Sequence, residues 1–285
     1  MLEQTINLSP ADTARLRRIE LELLRGFISV CERLELTYYI VQGTLLGAVR
    51  HGGFIPWDDD IDVGMPREDY EIFLKRGQAL LPQGVFLQNH ATDPGFMHCF
   101  SKLRRDGTVF MEQTQKTLHM HHGVYLDIFP LDYYPDGLFR GAAYDWKKLL
   151  IRYRVRAVYH IPSDEAWTAA NVLRRLLKLA ARRVYPTTED AMRAQERLYA
   201  SVSYGKRRIN NGSPWGNRER VPAAWLERTV PLSFEEMTVL APSEYDAYLR
   251  HAYGDYMTLP PEEQRVSHHH LARYDFGADT DSLSI

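Results

Sequence analysis

The segment Pro56–Val63 constrains the fold of this chain more than any other, because four of its eight residues are aspartates. Side chains alternate between the two faces of a strand, so Asp58, Asp60 and Asp62 would share one face while the apolar residues beside them enter a core. Neighbouring positions on one face lie roughly 6.5–7 Å apart. Three carboxylates at that spacing repel one another unless they are protonated or bind a cation. The segment therefore predicts a strand whose polar face carries a cluster of acids.

Two other structures fit an aspartate run, and the residues around it argue against both. A solvated acidic turn does not explain the apolar residues within the segment. The spacing Asp58-x-Asp60-x-Asp62 also matches the start of an EF-hand loop. That loop requires glycine where Val63 stands, and Pro66 interrupts its continuation.

Composition restricts the class of protein. The chain has 285 residues, of which 45% are hydrophobic and 25% charged, as expected for a globular protein. A net charge of -2 gives no field that would attract nucleic acid, so we expect no nucleic-acid partner. The N-terminus does not resemble a signal peptide, and no apolar run approaches the roughly 20 residues that cross a bilayer. Cys31 and Cys99 are not at metal-ligand spacing, which indicates free thiols and a cytoplasmic location.

Hydrophobic periodicity predicts an α/β (α+β) fold with a mixed sheet core and an appended helical lobe. Helix Ala11–Leu34 precedes a core of short strands and helices over Leu36–Asp132, and basic helices follow between Leu138 and Ser203. A strand pair over Thr229–Ala241 returns to the core, and Ser243–Tyr253 is a last helix. The predicted division has three parts: a catalytic core at 1–135, a basic helical lobe at 136–228 and a C-terminal segment at 229–285.

The basic helices carry cations that suit either water or a membrane surface. The relevant side chains are Lys147, Lys148, Arg152, Arg154 and Arg156. A solvated helical lobe is the simpler interpretation. Peripheral contact of these cations with the inner membrane face is the alternative.

A second polar motif stands just before the aspartate segment. Gly43 and Thr44 lie at a strand-to-helix turn, where backbone amides at the start of a helix can bind phosphate. An ordinary turn explains this motif equally well when it is taken alone. Glycine and threonine, a short helix and then Asp60 and Asp62 on a strand are the pattern of nucleotidyltransferase enzymes, which carry a third acid on a later strand. Asp127 in an apolar strand fits that position, although a hydrogen-bonded structural aspartate is its alternative.

Five segments together resemble the LicD family. The two most specific are Gly43–Arg50 (GTLLGAVR) and Gly53–Asp62 (GFIPWDDDID). Leu126–Asp132 also resembles a motif of this family, and Pro231–Glu235 and Tyr253–Glu263 are similar to its C-terminal motifs. The resemblance extends from about residue 38 to residue 270 and is weak in the basic helices.

The resemblance implies an activity. LicD-like proteins transfer phosphocholine from CDP-choline to sugars of bacterial surface polymers such as teichoic acid or lipopolysaccharide, and fukutin-related animal proteins transfer ribitol phosphate. It therefore implies a CDP-alcohol phosphotransferase of the EC 2.7.8 class, with a CDP-alcohol donor and a glycan or lipid-linked glycan acceptor. Two alternatives stay open: a true nucleotidyltransferase that leaves NMP on its acceptor, and a carbohydrate-binding relative without catalysis.

The same resemblance assigns roles to residues. It places the metal-binding acids on Asp60 and Asp62, with Mg²⁺ or Mn²⁺ as the cofactor, since both ions prefer oxygen ligands. Asp127 would complete the catalytic acids, either at a second metal or as acceptor of a proton. Substrate contacts are predicted for Gly43, Thr44, Arg50, Asp58, Lys102, Arg104 and His268. We predict that Arg50, Lys102 and Arg104 clamp phosphate. The alternative is that these three side chains are ordinary surface cations.

Histidines cluster at residues 119–122 and again at 268–270. Adjacent histidines rarely converge on one ion without partners at helix or loop spacing. The sequence therefore does not favour a zinc site at either cluster.

Overall fold

The computed structural model describes residues 6–156, 169–213, 215–267 and 269–277, and it confirms the α/β class. The helices are α1 (Pro10–Leu34), α2 (Gln42–His51), α3 (Arg67–Arg76), α4 (Leu138–Arg156), α5 (Ala169–Val184), α6 (Thr188–Tyr199) and α7 (Tyr245–Tyr253). The strands are β1 (Tyr39–Ile40), β2 (Asp62–Pro66), β3 (Val85–Gln88), β4 (Ser101–Arg105), β5 (Val109–Glu112), β6 (Tyr125–Tyr134), β7 (Arg207–Asn210), β8 (Arg220–Pro222), β9 (Thr229–Phe234), β10 (Met237–Pro242) and β11 (Leu271–Asp275).

The main sheet is mixed and has β6 at its centre. Its strands run in the order β1-β2-β6-β4-β3, and β2 is parallel to β6 whereas β4 is antiparallel to it. The second half of β6 pairs with β7, which in turn pairs with β8. These last two strands lie within the range predicted for the helical lobe, so part of that range extends the core sheet.

Helix α1 forms because its sequence satisfies both its end and its buried face. The Ser9 side chain accepts from the Asp12 amide at 3.1 Å, which caps the first turn as the sequence predicts. Leu16, Leu23 and Phe27 recur at helical spacing and are fully buried. Helices α1 and α3 both pack against the central strands, where the main hydrophobic core lies.

Alternation along the central strands directs polar residues to the other face of the sheet. Leu103 on β4 and Leu126 on β6 are fully buried in the main core. Their neighbours Lys102 and Asp127 therefore point to the opposite face. This face, away from the apolar core, is where the candidate site lies.

Several predicted elements differ at their ends. Strand β1 has two residues where six were predicted, and β2 begins at Asp62 rather than Asp60. The predicted C-terminal strand pair is confirmed as the hairpin β9–β10, which packs against β1 and α2. No strand was predicted near the C-terminus, yet β11 pairs antiparallel with β5. Among the described residues, no helix is long and apolar enough to span a bilayer.

Candidate active site

A row of charged side chains crosses three neighbouring strands at the centre of the sheet. Asp62 on β2 is in register with Asp127 on β6, and Asp127 is in register with Lys102 on β4. Residues in register lie on the same face of a sheet. Lys102 Nζ is 2.7 Å from Asp127 Oδ1, and all three residues are less than one-tenth exposed. Strand pairing alone therefore brings two carboxylates and one ammonium together.

The loop between α2 and β2, residues 52–61, adds further acids to this row. Asp58, Asp60 and Asp62 line one cleft, whereas Asp59 faces the C-terminal segment. The alternation predicted for a strand is thus present, although residues 58–60 are not in a strand.

Two distant side chains fix the conformation of this acidic loop. Arg17 on α1 donates to the carbonyl oxygens of residues 55, 56 and 58 at 2.9, 3.0 and 3.2 Å. His269 Nδ1 lies 2.8 Å from Asp59 Oδ1, and its Nε2 lies 3.7 Å from Asp60 Oδ2. The loop is therefore held from the first helix and from the segment before β11.

The acids of the cleft share an unfavourable electrostatic environment. Burial raises the pKa of Asp58 to about 8, and the charges of Asp60 and Asp59 add to the effect. Burial also raises the pKa of Asp60 to about 6 against the opposing charge of His269, and raises that of Asp62 well above its ordinary value. Burial lowers the pKa of His269, but its hydrogen bond to Asp59 and the charge of Asp60 outweigh this, so the net pKa is well above normal. Additional positive charge in the cleft would relieve the repulsion.

The first turn of α2 is fitted closely to the acidic loop. Thr44 Oγ1 accepts from the Asp62 amide at 2.8 Å, so this hydroxyl positions the acid. A Cβ atom at Gly43 would lie 2.6 Å from Asp58 Oδ2, which leaves room only for glycine. Gln42 has a positive φ of 49° and is 7% exposed, and its Nε2 has no hydrogen-bond partner. Its amide borders the cleft and is available to a ligand.

The cleft above the acids has a volume of about 1160 Å³, which is large for a small-molecule site. One wall consists of α2 and the acidic loop. The opposite wall includes helices α4 and α6 of the helical lobe, through Arg152, Val155, Gln195 and Tyr199. The segment between α7 and β11 closes a third side. Aromatic side chains are distributed among these walls: Trp57, Phe100, Phe129, Tyr199, Trp215, Tyr253 and Tyr256.

The residues present fit a hard cation such as Mg²⁺. Asp60 and Asp62 offer only oxygen ligands, and the buried Asp127, whose Oδ1 lies 2.7 Å from Lys102 Nζ, adds further carboxylate oxygen beside them. Within the described ranges, no three acidic, histidine or cysteine side chains already converge as a complete metal site. Mg²⁺ characteristically takes one or two carboxylates and completes its shell with water and substrate phosphates. The donor set therefore suits Mg²⁺ or Mn²⁺ better than zinc.

Comparison with known proteins agrees with this geometry. Residues 35–158 match the LicD/FKTN/FKRP nucleotidyltransferase domain. Over these residues the chain is similar to the nucleotidyltransferase domain of the LicD family. It is 27% identical over 256 residues to the lipopolysaccharide cholinephosphotransferase LicD of Haemophilus influenzae, across 87% of this chain and 92% of that protein. It is 31% identical over 114 residues to the ribitol 5-phosphate transferase FKRP of Homo sapiens, across 40% of this chain and 20% of that protein.

The matched domain contains the acids but only part of the cleft. Asp60, Asp62 and Asp127 all fall within the matched residues. Helix α6, Trp215 and the segment from Tyr253 to His269 lie beyond them and form the remaining walls. Segments outside the matched domain are thus placed to contact a substrate.

The predicted phosphate contacts fall into different environments. Lys102 and Arg50 both line the cleft, and Arg50 Nη1 donates to the Tyr256 carbonyl at 2.9 Å. The Arg104 side chain, for which a phosphate contact was predicted, is 0% exposed and does not line the cleft. Arg104 donates instead to Gln88 Oε1 and to the carbonyl of residue 123, both at 2.7 Å. His268 lies outside the described residues.

Three residues in or beside the site were not among the predicted site residues. Glu20 on α1 is 1% exposed, and burial followed by the charge of Asp60 raises its pKa well above normal. Its signal was present, since Glu20 follows Leu16 by four residues and so lies on the apolar face of the helix. Gln42 and His269 could not be found in this way, because backbone strain and long-range ion pairs leave no periodic pattern.

Proposed function

We propose that this chain is a metal-dependent phosphotransferase that moves a phospho-alcohol group from a CDP-alcohol to a sugar hydroxyl. Phosphocholine from CDP-choline is the first candidate. The observation that carries the proposal is the row of Asp62, Asp127 and Lys102 at the floor of a large cleft. A binding module has no need for buried acids whose charges repel one another, whereas a site that handles a pyrophosphate and a cation does.

The chain's own residues divide the work of this reaction. Asp60 and Asp62 would hold Mg²⁺ or Mn²⁺, which when bound supplies positive charge beside the donor pyrophosphate. The acceptor hydroxyl oxygen bonds to the phosphorus that bears the alcohol, the bond from that phosphorus to the bridging oxygen breaks, and CMP departs. Asp127 is the proposed acceptor of the hydroxyl proton. Lys102 holds Asp127 in place from 2.7 Å.

The donor would lie where cations and aromatic rings meet. The guanidinium groups of Arg50 and Arg265 lie 6.0 and 5.8 Å from the ring centre of Trp57. Burial lowers the pKa of Arg50, and the charge of Arg265 adds to this, so the pair would gain from a phosphate between them. The choice of a CDP-linked alcohol is supported by the two named relatives, which transfer choline phosphate and ribitol phosphate.

The acceptor is proposed to be a glycan or lipid-linked glycan precursor of a surface polymer, such as lipopolysaccharide or teichoic acid. Support comes from the lipopolysaccharide substrate in the name of the Haemophilus relative. The volume between the acid row and the helical lobe would accommodate sugar units. Reaction in the cytoplasm, at the inner membrane face, is part of the proposal.

The decisive experiment is a donor panel with product analysis. The full chain is incubated with Mg²⁺ and CDP-choline, CDP-ribitol, CDP-glycerol, UDP-sugars or ATP, and thermal shift and nucleotide release are measured. We expect a CDP-alcohol to stabilise the chain and to yield CMP when a glycan acceptor is added.

Asp62→Asn is the control, since it removes one proposed metal ligand while keeping the side-chain shape. Release of pyrophosphate, with the nucleotide left on the acceptor, would instead identify a nucleotidyltransferase. Stabilisation by UDP-sugars or ATP but by no CDP-alcohol would overturn the donor class. Binding of glycans with no turnover of any donor would identify a carbohydrate-binding relative.

A further inference from the structure

Exposed apolar side chains concentrate on two helices of the lobe. Fifteen large apolar side chains are exposed among the residues that the structure describes, and nine of them belong to α4 and α5. Those nine are Leu138, Phe139, Trp146, Leu149, Val172, Leu173, Leu176, Leu179 and Val184. Because α4 and α5 pack against each other, these residues define one region, which we call the lobe face. A patch of this kind on one part of a protein usually marks an interaction site.

Helix α5 exposes its leucines and buries small or polar side chains, which is the reverse of the usual arrangement. Leu173, Leu176 and Leu179 are 58%, 57% and 62% exposed, and they recur at helical spacing on one side. The residues that α5 buries are small or polar, namely Asn171 and Ala181. A helix that only supported the fold would turn its leucines inward. The leucine side of α5 is therefore fitted to something outside the fold.

The charges of α5 indicate what that partner is. The helix carries five cations and no acid across its sixteen residues: Arg174, Arg175, Lys178, Arg182 and Arg183. Apolar residues flanked by lysine and arginine are typical of helices that lie in the interface of an anionic bilayer. Phe139 and Trp146 on α4 add exposed aromatic rings, and the indole ring in particular favours that interface.

The cations first predicted to face a membrane lie elsewhere. Lys148 is buried and donates to Asn211 Oδ1 at 2.8 Å, and Arg154 donates to the carbonyls of residues 185 and 186 at 3.0 Å. Arg152 lines the cleft. Only Lys147 of the described members of that set is exposed, and the Arg156 side chain lies outside the described residues. A membrane contact would therefore depend on α5 and on the apolar residues of α4.

We infer that the lobe face docks on the surface of an anionic phospholipid bilayer. A symmetric pairing of two copies through this face would bring the cations of α5 against the same cations of its mate, whereas anionic headgroups complement them. Helix α4 also contributes Arg152 and Val155 to the cleft, and Arg152 follows the exposed Leu149 by three residues, so these two positions are neighbours on the helix surface. Docking would thus set the cleft beside the bilayer, within reach of a lipid-linked acceptor. The access to that acceptor rests on the proposed function, whereas the docking itself does not.

The test measures vesicle binding of the full chain. The chain is mixed with vesicles of phosphatidylcholine alone, or of equal parts phosphatidylcholine and phosphatidylglycerol, and the bound fraction is determined by flotation. We expect binding to the anionic vesicles only, weakened by high salt. The variant Leu173→Glu/Leu176→Glu should lower the partition coefficient by at least about tenfold. Both leucines then leave the interface, and the two new carboxylates have the same negative charge as the lipid headgroups.

A control variant places a glutamate at an exposed apolar position outside the lobe face. Tyr204 is 80% exposed and lies outside α4 and α5, so Tyr204→Glu should leave vesicle binding unchanged. Both variants should keep the thermal stability of the parent and its CMP release from a water-soluble donor and acceptor, which separates failure of docking from failure of the proposed function. Absence of binding to anionic vesicles, or equal binding of the double variant, would overturn the inference. A dimer in sedimentation analysis that the double variant dissociates would assign the face to a second copy and would also overturn it.

Discussion

Replacement of Asp60 by asparagine should raise the stability of the metal-free protein while it abolishes turnover. The carboxylate is 15% exposed and lies between Asp58 and Asp62, with His269 Nε2 at 3.7 Å as a distant counter-ion. Asparagine keeps the shape of the side chain and removes its charge. The variant therefore relieves a repulsion among the buried acids.

The size and sign of the effect follow from the pKa of Asp60, which burial raises from 3.8 to about 6. That difference in pKa corresponds to about 3 kcal/mol of unfolding free energy as an upper limit. Because neighbouring acids share this cost, we expect the variant to gain about 1–3 kcal/mol of unfolding free energy. A raised carboxyl pKa means that the folded state binds the proton more tightly, so this part of the stability falls as pH rises from about 4 to 6. The gain of the variant should be complete above pH 6 and absent below pH 4. At roughly 2–4 °C per kcal/mol, the melting temperature at pH 8 should rise by about 2–12 °C.

The assay is thermal unfolding in EDTA at pH 8 and at the lowest pH at which the parent stays folded, with Asp59→Asn as the matched control. Asp59 is in the same loop but pairs with His269 at 2.8 Å, so its replacement removes an attraction and should lower the melting temperature at pH 8. A lower melting temperature for Asp60→Asn at pH 8, or an equal gain at both pH values, would refute the electrostatic argument. Near-normal turnover at saturating Mg²⁺ would refute the role of Asp60 as a metal ligand.

Three further outcomes follow from the same geometry. Asp127→Asn should destabilise the protein by about 3 kcal/mol in chemical denaturation, because it removes the carboxylate that pairs with the buried Lys102 ammonium at 2.7 Å, and adding Lys102→Met should restore most of the loss. Gln42→Gly should hold or raise the free energy of unfolding by about 1 kcal/mol, since it relieves a positive φ and removes an unpaired amide, yet it should lower turnover. Mg²⁺ affinity measured by calorimetry should weaken from pH 8 to pH 6, because protons then compete at Asp58 and Asp60, and Mn²⁺ but not zinc should replace Mg²⁺ after EDTA treatment. Rising stability of Asp127→Asn, full turnover of Gln42→Gly or a pH-independent affinity would each contradict the corresponding argument.

The sequence predicted the elements that depend on local pattern. Helix α1 has both an N-cap and a regular apolar face, and it forms within one residue of its predicted start. The strand at Asp127 and the alternation of the acids around Asp60 also follow from residues close together in the chain. What the pattern could not supply is pairing between distant segments, such as β11 with β5.

The sequence also did not determine how deeply each side chain lies within the fold. Lys102 and Arg104 lie two residues apart and therefore share one face of β4. Both were predicted from the sequence to contact phosphate. The Arg104 guanidinium lies 4.8 Å from the ring centre of Tyr125 and is shut off from the cleft, while Lys102 reaches Asp127. Two cations with the same periodicity therefore differ in role because only tertiary packing decides which one a substrate can meet.

The acid cluster also explains why the cleft is assembled from all parts of the chain. Its charges are stabilised by Lys102 from the sheet, by Arg17 acting on the loop from α1, and by His269 from the C-terminal segment. Each of these contacts joins the acids to an element that the local sequence around Asp60 does not specify. The helical lobe adds Arg152 to the enclosure, three residues from Leu149 of the lobe face on the same helix α4. A surface that positions the lobe against a bilayer would thereby also bring this wall of the cleft close to that bilayer.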